Sequence, residues 1–312
     1  MTNFWCAAFC LPQTCIDEIE SMCSAFLWSG SPNNTSMSKI AWDEVCRPYD
    51  EGGLGLRHVL DVSKVFILKL IWRLESQVSS LWSAWVSQYL LRGETLWDVK
   101  DTSFGSWVWR KLLKFRTLAR EFIRMDIKSG QRVRFWTDIW HPKGRLIDIT
   151  REIGTQKLGI PRNAKICEVH IDGFWQIRRC RDRRIQVLMQ EVCDFPISIS
   201  VDVMNGVLWR KGPDDYEDRF LSNATWQQIK QQRQKIQWTK LIWFSQGVPR
   251  FAFISWLAFR DMLATGHRTR LWGQPQGCLF YGKPEETRDH LFFFLSIHLH
   301  AMAAGRRDIA WC

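Results

Sequence analysis

No stretch of this 312-residue sequence approaches the roughly 18 consecutive apolar residues of a membrane-crossing helix, because Lys69 and Arg73 interrupt even the run from Val65 to Leu74. No membrane partner is expected. The opening segment 1–15 has no Lys or Arg ahead of its apolar run, which makes it a poor secretory signal. The ten cysteines, at 6, 10, 15, 23, 46, 167, 180, 193, 278 and 312, lack the tight spacing of a small disulfide-stapled secreted domain. Reduced thiols in an intracellular protein, nuclear or cytoplasmic, fit better. Internal repeats and low-complexity tracts are also missing. So is any recognisable assembly of base, nucleophile and oxyanion donor.

What is present is enough for two modest domains with real cores, since 46% of the residues are hydrophobic. A formal charge of +11 favours polyanionic partners, RNA or DNA, bound weakly and without sequence preference. The 19 tryptophans are an unusual load. Most belong in cores, because an indole buries a large apolar area, and those left exposed are candidates for stacking on bases.

Apolar spacing predicts helices over Ile16–Trp28, Val59–Glu75, Ser79–Leu91 and Ser106–Arg124. The glycines of Gly52-Gly53-Leu54-Gly55-Leu56 suit tight turns. Val133–Trp140, partly alternating after a Lys128-Ser129-Gly130-Gln131 turn, predicts a short hairpin. Ile147–Pro161 reads as linker. Ile177–Val192 reads as a basic helix whose Arg178, Arg179, Arg181, Arg183 and Arg184 either contact phosphates or form an ordinary solvated face. Further on, Gly206–Trp209 reads as a strand, Lys211–Asp218 as a polar loop, and Trp226–Gln234 and Arg250–Leu263 as helices.

Several phrases together resemble one family. Phe26-Leu27-Trp28-Ser29-Gly30, Ile40-Ala41-Trp42, Cys46-Arg47-Pro48 and Glu51-Gly52-Gly53-Leu54-Gly55-Leu56 resemble the segment that follows the polymerase domain in plant LINE-type (non-LTR) retrotransposon reverse transcriptases. Phe135-Trp136-Thr137-Asp138-Ile139-Trp140 is similar to that family's next recurrent phrase. Trp209, Phe220, Trp226, Trp238, Trp243, Pro249-Arg250, Trp256-Leu257-Ala258 and Thr265-Gly266 resemble the approach to its zinc-binding region, which Cys278, Glu286-Thr287-Arg288-Asp289-His290 and Leu291-Phe292-Phe293 continue. The resemblance implies a chain lying after the polymerase centre, whose paired aspartates hold two metal ions. No catalytic residue is therefore expected here. Asp214-Asp215, the one adjacent aspartate pair, has no apolar strand before it and reads as a loop.

The resemblance also implies a zinc site of the form Cys-x2-Cys then His-x4-Cys, four ligands closing a tetrahedron. Cys278 matches the first ligand and His290 the third, but Tyr281 and Leu295 stand at the second and fourth, leaving an incomplete site. His298 and His300 offer imidazoles, though their spacing points them to opposite sides of a strand. No cofactor is expected, and zinc only if these histidines rescue the site. The codons give a further reading. Read one nucleotide out of register, Leu295-Ser296 permits Cys, later junctions permit Pro, Tyr, Thr, Phe, Thr and Leu, and Met302-Ala303 forces Trp. That string resembles the family's continuation, and Tyr281 is one base from Cys. The reading is of a decayed element, one ligand lost by substitution and one by frameshift.

The expected fold is mainly α, a helical bundle with a short β-hairpin near 130–140 and a small α+β C-terminal module. The expected division is 1–146 helical, 147–204 linker and basic helix, and 205–312 degenerate zinc-binding region. The expected function is a non-catalytic remnant with residual RNA or DNA binding. The rivals are a domesticated nucleic-acid-binding zinc protein and a protein-interaction scaffold.

Overall fold

The computed structural model describes residues 11–34, 38–76, 80–101, 105–197, 199, 205–270, 273, 277–278 and 286–290. In chain order its helices are α1 (Gln13–Ser29), α2 (Trp42–Val45), α3 (Val59–Glu75), α4 (Leu81–Trp85, continuing as a π-helical turn over Val86–Leu91) and α5 (Trp107–Ala119). Then come β1 (Ile123–Asp126), α6 (Leu146–Leu158), α7 (Ile166–Val169), β2 (His170–Ile171), β3 (Phe174–Trp175), α8 (Arg183–Asp194), β4 (Gly206–Gly212) and β5 (Asp215–Glu217). The last helices are α9 (Ser222–Ile229), α10 (Thr239–Ile242), α11 (Pro249–Phe259) and α12 (Gly266–Arg270). The fold is mainly α with small antiparallel sheets, as expected. None of the described helices is long and apolar enough to cross a membrane.

Several helix starts follow from local chemistry. The Ser106 hydroxyl accepts from the Trp109 amide at the head of α5, and the Asp182 carboxylate accepts from the Arg184 amide at the head of α8. Pro249 opens α11, where its missing N–H costs nothing.

The chain divides into two compact units, 1–18 with 58–231 and 19–57 with 232–312. In the first, α3 and α5 bury Leu68, Ile71 and Leu112 against β1 and β4, where Trp209 stacks on Phe122 and donates its indole N–H to the Thr225 hydroxyl. A second core in the same unit gathers Phe135, Trp136 and Trp140 with α6 and α8. In the second unit, Ile40 and Val45 pack on Ile242, Trp256 and Leu257.

Several expectations need correction, among them the Lys211–Asp218 loop, which holds the end of β4 and all of β5, and the Trp226–Gln234 helix, which instead runs Ser222–Ile229. Residues 131–140 contain no hairpin: Arg134 makes an isolated bridge to Lys165, and the hairpins are β2–β3 and β4–β5. A half-exposed hairpin would alternate, whereas Val133, Phe135, Trp136, Thr137, Ile139 and Trp140 are all buried. Residues 147–161, read as linker, are mostly α6. It is kinked at Arg151 (φ +55°) and buries Leu146, Ile147, Thr150, Gly154 and Leu158, so the break and two small or polar members hid the apolar period. The basic helix begins only at Arg183, so Arg178, Arg179 and Arg181 precede its Asp182 cap. Finally, the Ser106–Arg124 helix stops at Ala119, because Ile123 onward pairs with β4, a partner far away in sequence.

The Gly52-Gly53 turn is a steric requirement. Gly52 has φ +82°, and a Cβ on Gly53 would collide with the Arg47 carbonyl oxygen. Gly53→Ala should lose about 1–3 kcal/mol in thermal or urea unfolding. Gly206→Ala, where the added methyl meets Asp126 at 3.5 Å, is the control that should stay near the parent.

Candidate metal centre

Two phrases some 200 residues apart in sequence meet in the second unit. The Gly52 carbonyl accepts from the Trp256 indole at 2.8 Å and from Arg260 Nη2 at 2.7 Å, and Arg260 also pairs with Glu44. These bonds tie the glycine turn to α11. Beyond α11, the Glu286 carbonyl accepts from the His267 amide at 3.0 Å, anchoring the stretch that carries His290 to α12. Thr287 then acts as a helix cap, its hydroxyl accepting from the His290 amide at 3.2 Å, and residues 288–290 make the turn that follows.

That cap aims His290 inward. Its Nε2 lies 3.2 Å from Cys278 Sγ, and both residues are buried. Zinc–sulfur and zinc–nitrogen bonds meeting at a tetrahedral angle would place the two ligand atoms ~3.5 Å apart. The observed spacing suits two ligands of one ion, reached by a small opening of the pair. The structure brings together Cys278 and His290, the two matching positions. Tyr281, Leu295, His298 and His300 lie outside the described residues. Among the described residues no group of three or more His, Cys, Asp or Glu is arranged to hold a metal.

Residues 220–300 match a family described as zinc-binding in reverse transcriptase. The Cys278–His290 pair falls inside this reverse-transcriptase zinc-binding match. Over 137 residues, 42% of this chain, the sequence is 30% identical to a putative ribonuclease H protein of Arabidopsis thaliana, of which it covers 22%. Over 135 residues it is 24% identical to an uncharacterized mitochondrial protein of Arabidopsis thaliana, of which it covers 88%. The chain thus spans about a fifth of the first of these relatives. No solved structure matches. The chain therefore carries a reverse-transcriptase-related region, and its buried Cys–His pair fits half of a zinc ligand set. Tyr281 and Leu295, which stand where the resemblance expects the other two ligands, carry a phenol and an aliphatic side chain, neither of which suits zinc.

Sequence reasoning missed Thr287, although a threonine three residues before His290 is itself a capping signal. The arginine group is placed but not gathered onto one helix: Arg178, Arg179, Arg181, Arg183 and Arg184 are all exposed, spread over a loop and the first turn of α8. The acid among them, Asp182, is taken up by Lys157 at 2.8 Å, a hydrogen bond that holds its carboxyl below the usual range. The arginines therefore keep their net positive field. Just before them, the β2–β3 hairpin exposes Phe174 at 72%. Among the described tryptophans only Trp85 and Trp107 are exposed, and Arg110 and Lys111 lie over the Trp107 ring. Asp214-Asp215 forms the tip of the β4–β5 hairpin, with Asp214 at φ +53° after Pro213, which is turn chemistry.

Proposed function

We propose that this chain is a non-catalytic part of a LINE-type retrotransposon reverse transcriptase, with a zinc-binding region reduced to two ligands and a residual, sequence-independent affinity for RNA or DNA. The observation that carries the reading is the buried Cys278–His290 pair inside the matched region. When bound, zinc would supply folding free energy to this end of the chain. Cys278 and His290 would hold it, and the capped turn at Thr287 keeps the imidazole aimed at the thiol. Polymerase chemistry has no support in Asp214-Asp215, whose carboxylates are exposed at a hairpin tip and neighbour Lys211.

The nucleic-acid part rests on the net charge of +11 and on the exposed arginines that follow the Phe174 hairpin in sequence. Phosphate contacts release counterions, so affinity for a single-stranded oligonucleotide should fall about tenfold or more between 50 and 200 mM salt. Replacing Arg178, Arg179 and Arg181 with Gln should flatten that slope by about one per lost contact and weaken all sequences alike. Fluorescence anisotropy across salt concentrations checks this. An affinity indifferent to salt would remove the polyanion reading and favour a protein-interaction scaffold.

A further inference from the structure

Away from the metal pair, the first unit contains a cavity of about 280 Å³ that the reading above does not use. Leu74, Leu91, Leu96, Met125 and Val207 give it apolar walls, while Glu75, Asp138 and Asn205 are the polar groups that matter inside it. Glu75 ends α3 and has no hydrogen bond or ion pair among the described residues. Asp138 accepts the Arg134 amide at 2.8 Å, and no other hydrogen bond to its carboxylate occurs among the described residues. Burial, with Asp138 nearby and Arg134 opposing, pushes the Glu75 carboxyl up to about 8, so the cavity holds an acid that no hydrogen bond satisfies among the described residues.

Asn205 supplies a third constraint. Its Oδ1 accepts from the Lys128 and Gly130 amides at 2.8 and 3.0 Å, which fixes the orientation of the amide. The Nδ2 is then a buried donor without a partner. Unmet buried donors and acceptors are costly in a fold, and a cluster of them in one cavity points to a ligand that supplies the missing atoms. Arg132 and Arg134 also line the space, offering positive charge to an anion.

The occupant that meets these groups presents neighbouring N–H donors to carboxylates, offers an acceptor to an amide, has some apolar surface, and carries a negative group. Guanine has the N1–H and the N2 amino group side by side, with O6 and N7 acceptors next to them. Adenine and cytosine each lack the neighbouring ring N–H, and a guanidinium lacks the acceptor. We propose that this cavity binds a guanine base, with Glu75 and Asp138 accepting from its N–H edge, Asn205 donating to an acceptor on that edge, and the arginines taking a phosphate. The base arrives either as a free nucleotide or as an unpaired guanine in a strand.

Calorimetry on the full chain with GMP, AMP, agmatine and uridine-rich oligonucleotides containing one guanine or one adenine tests this. GMP should bind at least tenfold more tightly than AMP and more tightly than agmatine. The strand source is indicated if the guanine oligonucleotide exceeds GMP, the free-nucleotide source if it does not. Above pH 8, where Glu75 is ionised, Glu75→Gln should weaken GMP at least tenfold, because it removes the carboxylate that accepts from the N–H edge and puts an N–H donor in its place. Asn205→Asp keeps the acceptor for Lys128 and Gly130 and should also weaken GMP tenfold. The proposal is overturned by equal GMP and AMP affinity, by agmatine binding best, by no binding of any probe, or by a thermally stable Glu75→Gln variant with parental GMP affinity.

Discussion

A version carrying Tyr281→Cys, with the tail from Leu295 returned to the alternative reading frame, is expected to take up about one zinc per chain and to fold more tightly at its C-terminal end. Four ligands in place of two change the outcome sharply, because apparent zinc free energies of roughly 10–16 kcal/mol belong to complete structural sites. In the proposed site the buried Cys278–His290 pair, 3.2 Å apart, would supply two of the four ligands. Metal analysis after dialysis, together with protease resistance beyond residue 270, reads both parts of the expectation. A restored chain that still takes up no zinc would break the link between this region and the zinc-binding family.

The second large effect is a dependence of stability on pH that runs opposite to the usual carboxylate case. Glu75 is raised to about 8 by burial and by Asp138, with Arg134 opposing, and burial raises Asp138 to about 6. Arg132 and Glu94 line the same cavity. Because the folded chain holds protons that the unfolded chain releases, these groups favour the fold at low pH. Their contribution is lost as pH rises through about 6 for Asp138 and about 8 for Glu75. Glu75→Gln removes the charging cost, so at pH 9 the variant should be more stable than the parent by on the order of 3 kcal/mol. Near pH 4 the two should be alike. Urea unfolding at both pH values checks it, and a parent that gains stability on the alkaline side relative to the variant would show that Glu75 is not held as a buried acid. A stabilised variant would also show that the carboxyl is kept at a cost to the fold, as ligand-binding groups often are.

How legible these features were in the sequence depended on how local their causes are. α3 was readable to the residue, Val59 to Glu75, because its apolar spacing is complete. Cys278 and His290 were singled out by their spacing in the sequence, and the structure brings them to 3.2 Å from one another. α6 was not readable, since Thr150 and Gly154 occupy two of its five buried positions and carry no apolar signal. β1 was lost inside an apparent helix because its pairing partner begins at Gly206. The Trp-rich phrase 135–140 looked like a strand but is a buried turn, with the Trp136 and Trp140 indoles donating to the Ile160 and Phe135 carbonyls. The cavity was invisible for the same reason, since Glu75, Asp138 and Asn205 come from three distant segments. Two phrases singled out in the sequence are joined in the structure, where the Gly52 carbonyl receives Trp256 and Arg260.

The measurement that bears most directly on the two-ligand zinc region is the zinc content of the unaltered chain, purified under reducing conditions and dialysed against a weak chelator, beside Cys278→Ser, His298→Ala and His300→Ala. With only Cys278 and His290 in place, all four proteins should hold far less than one zinc per chain and unfold alike with or without the metal. Stoichiometric zinc in the unaltered chain, lost on replacing His298 or His300, would contradict the decayed site and show a rebuilt one.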